Sequence, residues 1–198
     1  MKKNGIKKSK GFTLVEIAIV LIVIGLIVVG VLKGSVLIES AKYKSLLKSV
    51  TDYQEMVGKF QEKYNALPGD ISTTNIRRLL DNSLTGGSGN GKIGGVEISN
   101  VWVHLQAAGY LSTDISSGNP KHAFSGNVKI YWDSNVKGKS SNWLVLENLP
   151  VAIAWRLDRD MDDGKPFSGS VRKKSNACTS GGEYNVNTTD LCAIFIAL

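Results

Sequence analysis

Apolar positions along the chain follow two rhythms. Over residues 12–32 they are almost unbroken, with Glu16 as the single charge. From Tyr43 onward they recur every three or four positions, at Tyr43, Leu46, Val50, Tyr53, Val57, Phe60 and Tyr64. About 20 consecutive apolar residues suffice to cross a hydrocarbon core of about 30 Å as a helix. A three-four stripe is one face of an amphipathic helix. Lys42, Lys44, Lys48, Asp52, Glu55, Lys59, Glu62 and Lys63 fall largely off that stripe. The two rhythms predict one helix over residues 12–64, about 80 Å long at ~1.5 Å per residue. Its first half is apolar all round and its second half faces a core, and Pro68-Gly69 ends the pattern. Gly25, Gly30 and Gly34 soften the upper helix by ~1 kcal/mol each against alanine. Gly25 and Gly30 also allow close helix packing.

Further on, the pattern breaks into short elements. Leu67-Pro68-Gly69-Asp70 is a turn signal, and short helices are predicted over 74–82 and 97–109. Residues 85–95, rich in glycine, read as a flexible loop. They lack the phosphate-cradling GxxxxGK[ST] spacing. Strands are predicted at 128–133, 142–147 and 193–198, and a helix over 152–161 opened by Pro150. The expected fold class is therefore α+β, a long N-terminal helix packed on a small antiparallel sheet head.

Charge orients this arrangement. The chain of 198 residues carries a formal +7, most of it on Lys2, Lys3, Lys7, Lys8 and Lys10 ahead of the apolar run. A basic block there stays on the cytoplasmic side and sends the C-terminus outward. The remainder is only mildly basic, which gives a nucleic-acid partner little electrostatic support. A secretory signal would have a shorter apolar core and a small-residue cleavage site after it; the run instead continues into Lys33-Gly34-Ser35. An ordinary signal anchor explains the lysines and leaves Glu16 without a role, although a carboxylate in lipid costs about 2–3 kcal/mol or more. In an oxidising compartment, Cys178 and Cys192 are expected to pair. Without nearby histidines they make a poor zinc site.

Candidate chemistry is sparse. No Ser/His/Asp or Cys/His constellation stands out, which argues against an enzyme. His104 lies on a predicted amphipathic helix and reads as structural. Trp102, Trp132, Trp143 and Trp155 read as core or half-buried residues, with a sugar or DNA platform as the alternative. Asp158, Asp160, Asp162 and Asp163 are the best metal candidates because calcium favours clustered oxygens. Their spacing misses the EF-hand pattern, since Gly164 falls one place late and no glutamate follows. The reading favoured for them is a helix-ending turn, with no cofactor.

The stretch Lys10-Gly11-Phe12-Thr13-Leu14-Val15-Glu16 and the apolar run after it resemble the N-terminus of type IV prepilins and type II secretion pseudopilins. Residues 64–70, 102–109 and 158–166 also look like stretches of one prepilin-like subgroup. Many pilins carry a proline where this chain has Lys33-Gly34. The resemblance implies a pilin-like fold and cleavage between Gly11 and Phe12 by a prepilin peptidase. It further implies N-methylation of Phe12 and assembly through Glu16, which would neutralise the amine of a neighbouring subunit. It implies a leader over 1–11, a membrane or filament-core helix over 12–35, an amphipathic helix over 36–66 and a head over 67–198. Expected partners are copies of itself, other pilin-like subunits, the peptidase/methyltransferase, an inner-membrane assembly platform and the membrane. The expected location is the inner membrane with the head periplasmic, followed by a filament. Some pseudopilins bind calcium in the head, which keeps that ion open. A minor tip subunit binding DNA or a surface is the alternative function.

Overall fold

The structure is a computed structural model that describes residues 11–112, 115 and 118–198. The lysine-rich stretch 1–10 of the expected leader lies outside these residues. The chain divides into two units, Met1–Ala41 and Lys42–Leu198.

Helix α1 (Leu14–Tyr64) contributes to both units. In the first, no described side chain from residue 14 to residue 41 is buried. Leu14, Leu26 and Leu37 are among the large apolar groups left exposed. An 18-residue window of this helix has a mean hydropathy of 3.1, which meets the length and composition of a membrane span.

In the second unit the stripe finds its core. Tyr43, Leu46, Val50, Tyr53, Val57 and Phe60 are buried, and half-buried Tyr64 packs against Phe60 with ring centroids 4.6 Å apart. Around them come α2 (Thr73–Leu79), α3 (Glu97–Ala107), β1 (Val128–Val136), β2 (Lys139–Pro150), α4 (Val151–Met161), β3 (Val171–Arg172), β4 (Thr179–Ser180), β5 (Glu183–Tyr184) and β6 (Leu191–Ala197). One antiparallel sheet has the order β1-β2-β6-β3, and β4-β5 is a separate hairpin. The alternation of the strands sorts their side chains. Val128, Ile130, Leu144, Leu146, Ile194 and Ile196 join the stripe of α1 in the main core. Trp143, Val145 and Phe195 build a smaller cluster with Val136. Lys137-Gly138 turns β1 into β2 with both residues at positive φ, as a tight hairpin requires. The result is the expected α+β fold, consistent with a pilin-like protein.

One expectation needs correction. The glycine-rich stretch 85–95 is not a floppy loop but a pinned one. Oδ1 of Asp70 accepts from Ser88 Oγ at 3.1 Å and Asn90 N at 3.0 Å, and its Oδ2 accepts from Gly91 N at 2.7 Å. Glu97 takes Ser88 N at 2.7 Å and Gly94 N at 2.9 Å, one with each carboxylate oxygen. A Cβ at Gly86 would collide with the carbonyl of Ile71, and one at Gly87 with the carbonyl of Gly69. Composition signals mobility, but two buried acids placed elsewhere in the chain supply the acceptors that order it.

Candidate functional site

At the head of α1, Thr13 and Glu16 form a closed local unit. Oε2 of Glu16 accepts from Thr13 N and from Thr13 Oγ1, each at 2.8 Å. Thr13 Oγ1 in turn accepts from Glu16 N at 3.2 Å. This is a capping box, with threonine before the first turn and glutamate three residues on. Two amides that the helix leaves without partners are satisfied by it. The spacing Thr-x-x-Glu is the signal in the sequence, and it gives Glu16 a partner inside its own chain. Gly11 and Phe12 are exposed just ahead of this cap, and nothing lies within 4 Å of where a Cβ on Gly11 would be.

The other candidates lie in the head. Cys178 and Cys192 form a disulfide, 14 residues apart in sequence. Asp158, Asp162 and Asp163 bring carboxylate oxygens within 4.8 Å of one another. Asp160 points elsewhere, accepting from Tyr43 Oη at 2.5 Å. That hydrogen bond, with the guanidinium groups of Arg159 and Arg156, holds the Asp160 carboxyl below the usual range. The three clustered acids grip the turn after α4. Asp158 accepts from Gly164 N at 3.1 Å and from Tyr184 Oη at 2.7 Å. Asp162 accepts from Val171 N at 2.9 Å and from Ser170 N, and Asp163 from Lys165 N at 2.9 Å. Burial pushes the Asp158 carboxyl up to about 7, against the pull of its two hydrogen bonds. An all-carboxylate set suits a hard cation such as calcium, and Asp158, Asp162 and Asp163 are the residues that would hold it. Their visible work is binding backbone amides, the turn-forming role expected of this stretch.

His104 is fully buried. Its Nδ1 accepts from Gly69 N at 2.9 Å, so the other nitrogen, Nε2, carries the proton and donates to Thr85 O, also at 2.9 Å. Burial holds its pKa below the ordinary histidine value, and the neutral ring joins two turns rather than acting as a base. The tryptophans share no platform. Trp102 sits in the main core, edge-on to Tyr53 at 5.2 Å, and Trp143 in the smaller cluster. Trp132 lies under Lys92 and Trp155 under Arg159.

Residues 6–32 match the family model of the prokaryotic N-terminal methylation motif. The matched stretch covers Gly11, Phe12, Thr13, Glu16 and the exposed apolar turns after them, and it supports a type IV prepilin-like family for this chain. The motif supports a pilin- or pseudopilin-like precursor, and the family that carries it is structural rather than enzymatic. No curated protein and no solved structure matches the chain.

Proposed function

We propose that this chain is a structural subunit, pilin or pseudopilin, of a type IV pilus or type II secretion-type filament. The observation that carries the reading is the methylation motif at 6–32 heading a helix in which no described side chain over residues 14–41 is buried. Prepilin peptidase cuts between Gly11 and Phe12; the missing side chain of Gly11 lets the backbone lie extended in the protease. The new amine on Phe12 is then N-methylated. Before assembly, α1 stores the precursor in the inner membrane with the head periplasmic. After assembly, the apolar half of α1 lies in the filament core beside its neighbours. There the Glu16 carboxylate pairs with the amine of another copy, because an unmatched charge in a low-dielectric core is expensive. The energy for extraction from lipid comes from a cytoplasmic ATPase.

Two measurements test this. Mass spectrometry of the mature protein should find N-methylated Phe12 as its first residue. Glu16→Gln and Glu16→Ala separate cap from charge, because glutamine can still serve the capping box. Both variants should be cut and inserted normally, yet assemble about tenfold less or worse, as loss of a buried ion pair implies. Wild-type filament from Glu16→Gln, or a mature protein that keeps its lysine leader, overturns the proposal.

A further inference from the structure

Two basic runs that lie far apart in the chain meet at the turn between β1 and β2. Arg172 of β3 donates from Nη1 to Lys137 O at 2.8 Å, and Lys137 Nζ donates to Asn176 Oδ1 at 2.7 Å. Lys137 also holds its ammonium over the Phe167 ring, 4.4 Å from the centroid. Lys139, across the turn, sits over Trp143 at 5.7 Å. Lys174 completes the group by pairing with Asp133. Lys137, Lys139 and Arg172 have no carboxylate partner among the described residues. Elsewhere in the head many cations answer acids: Lys48 pairs with Asp52, Lys59 with Glu55, Lys129 with Glu147 and Arg159 with Asp160. Arg77 and Arg78 also lack such a partner, but they come from a single turn of α2, and Arg77 is drawn back onto Leu84 O at 3.0 Å. At the β1–β2 turn, by contrast, ring faces and carbonyl oxygens hold cations from two segments in fixed places, so little side-chain freedom is lost on binding.

A fixed excess of positive charge attracts an anion. The surroundings select which one. Ser134, Asn135, Ser140, Ser175 and Asn176 flank the cations and are exposed. Hydroxyls and amides of this kind, with Lys and Arg, are the usual donors to phosphate oxygens. No large apolar side chain is exposed over residues 128–147 or 167–177, so the patch has nothing to insert into a bilayer. The Trp143 and Phe195 rings beneath it are buried and offer no face on which a single-stranded base can stack. A second copy of this chain is a poor match, because the acid clusters of the head are committed. Asp70 and Glu97 hold the glycine-rich loop, and Asp158, Asp162 and Asp163 hold the turn after α4. We infer that the face formed by Lys137, Lys139, Arg172 and Lys174 binds duplex nucleic acid through its phosphates, without reading the bases. The mild net charge of the chain beyond its leader hides this face, because acids elsewhere cancel it in the sum. The inference goes beyond the filament reading and stands on the head alone. Where copies assemble, repetition of the face adds contacts along one duplex.

The test uses the full chain in a nonionic detergent and a short fluorescent DNA duplex, read by anisotropy across a salt series. The leader lysines are common to every variant and cancel in the comparison. Lys137→Gln with Lys139→Gln should lower affinity about tenfold or more at low salt and flatten the slope of log affinity against log salt by about 2, one contact for each lost cation. Lys137→Glu, a single change at the exposed tip of the turn, should weaken binding in the same direction without touching a buried group. Lys137→Arg with Lys139→Arg should keep wild-type affinity and slope. Arg77→Gln with Arg78→Gln removes as much charge from α2 and should change neither. Duplexes of A·T or of G·C alone should bind alike, and a single strand more weakly. Four results overturn the inference: equal losses from the lysine and arginine pairs, no loss from Lys137→Glu, tighter binding to a single strand or to anionic phospholipid vesicles than to the duplex, or loss of filament without loss of duplex binding. None of them touches the filament reading, which the mature N-terminus tests separately.

Discussion

The two halves of α1 are both rich in apolar residues, yet only one has a core. Over residues 14–41 the apolar groups fall on every side of the helix and none of the described ones is buried. From Tyr43 to Phe60 they keep to one face, and that face is covered by the sheet and by α3. Periodicity, more than hydrophobicity, decides whether a helix can be satisfied by its own chain. A helix that is apolar all round needs a surrounding medium, lipid or a bundle of equals, whereas a striped one needs a single partner surface. The acids repeat the lesson. Among the described residues Glu16 finds the backbone and hydroxyl of Thr13, three residues away, while Asp70 reaches amides 20 and 21 residues further on.

The contrast can be broken most directly by truncation. Phe60→Ala should cost the head about 3–5 kcal/mol in denaturant unfolding, as for other buried aromatic truncations. Leu26→Ala should shift the same transition by less than about 0.5 kcal/mol. Equal effects would mean that Leu26 is buried in the folded chain after all. Next in size, Asp70→Ala strands the amides of Asn90 and Gly91 and should cost about 2 kcal/mol. Amide hydrogen exchange should then rise over residues 86–91 and leave the first half of α1 unaffected. The smallest effect concerns Lys173, which is buried with its ammonium on the Ala177 carbonyl. Burial pulls its pKa down to about 8. The folded head therefore gives up this proton before the unfolded chain does, and stability rises with pH from about 8 toward the ordinary lysine value. Lys173→Met removes that rise. The difference between variant and wild type, on the order of 1 kcal/mol near neutrality, should shrink across that window. A constant difference would show that Lys173 is not titrating in the fold.

Much of this was legible in the sequence. The stripe, the apolar run and the alternation of β1 and β2 come directly from side-chain spacing, and Pro150 marks the start of α4. The two-residue strands β3, β4 and β5 were not legible, because two residues carry no alternation and their positions depend on β6 and the disulfide. The order in the glycine-rich loop was hidden for a related reason: its acceptors, Asp70 and Glu97, lie outside the glycine run. The capping box was readable at Thr13 and Glu16, although weighing Glu16 against lipid alone passes over it. The basic face at the β1–β2 turn was hidden in the net charge, since Lys137 and Arg172 lie 35 residues apart and meet only through the sheet.

The pinned loop has a consequence for how this head can vary. Its curve is held mainly through main-chain groups, by two acids that stand outside it. A side chain such as Lys92 can change identity there while the outline persists. A surface built this way can present new faces to its surroundings and still be the same solid beneath.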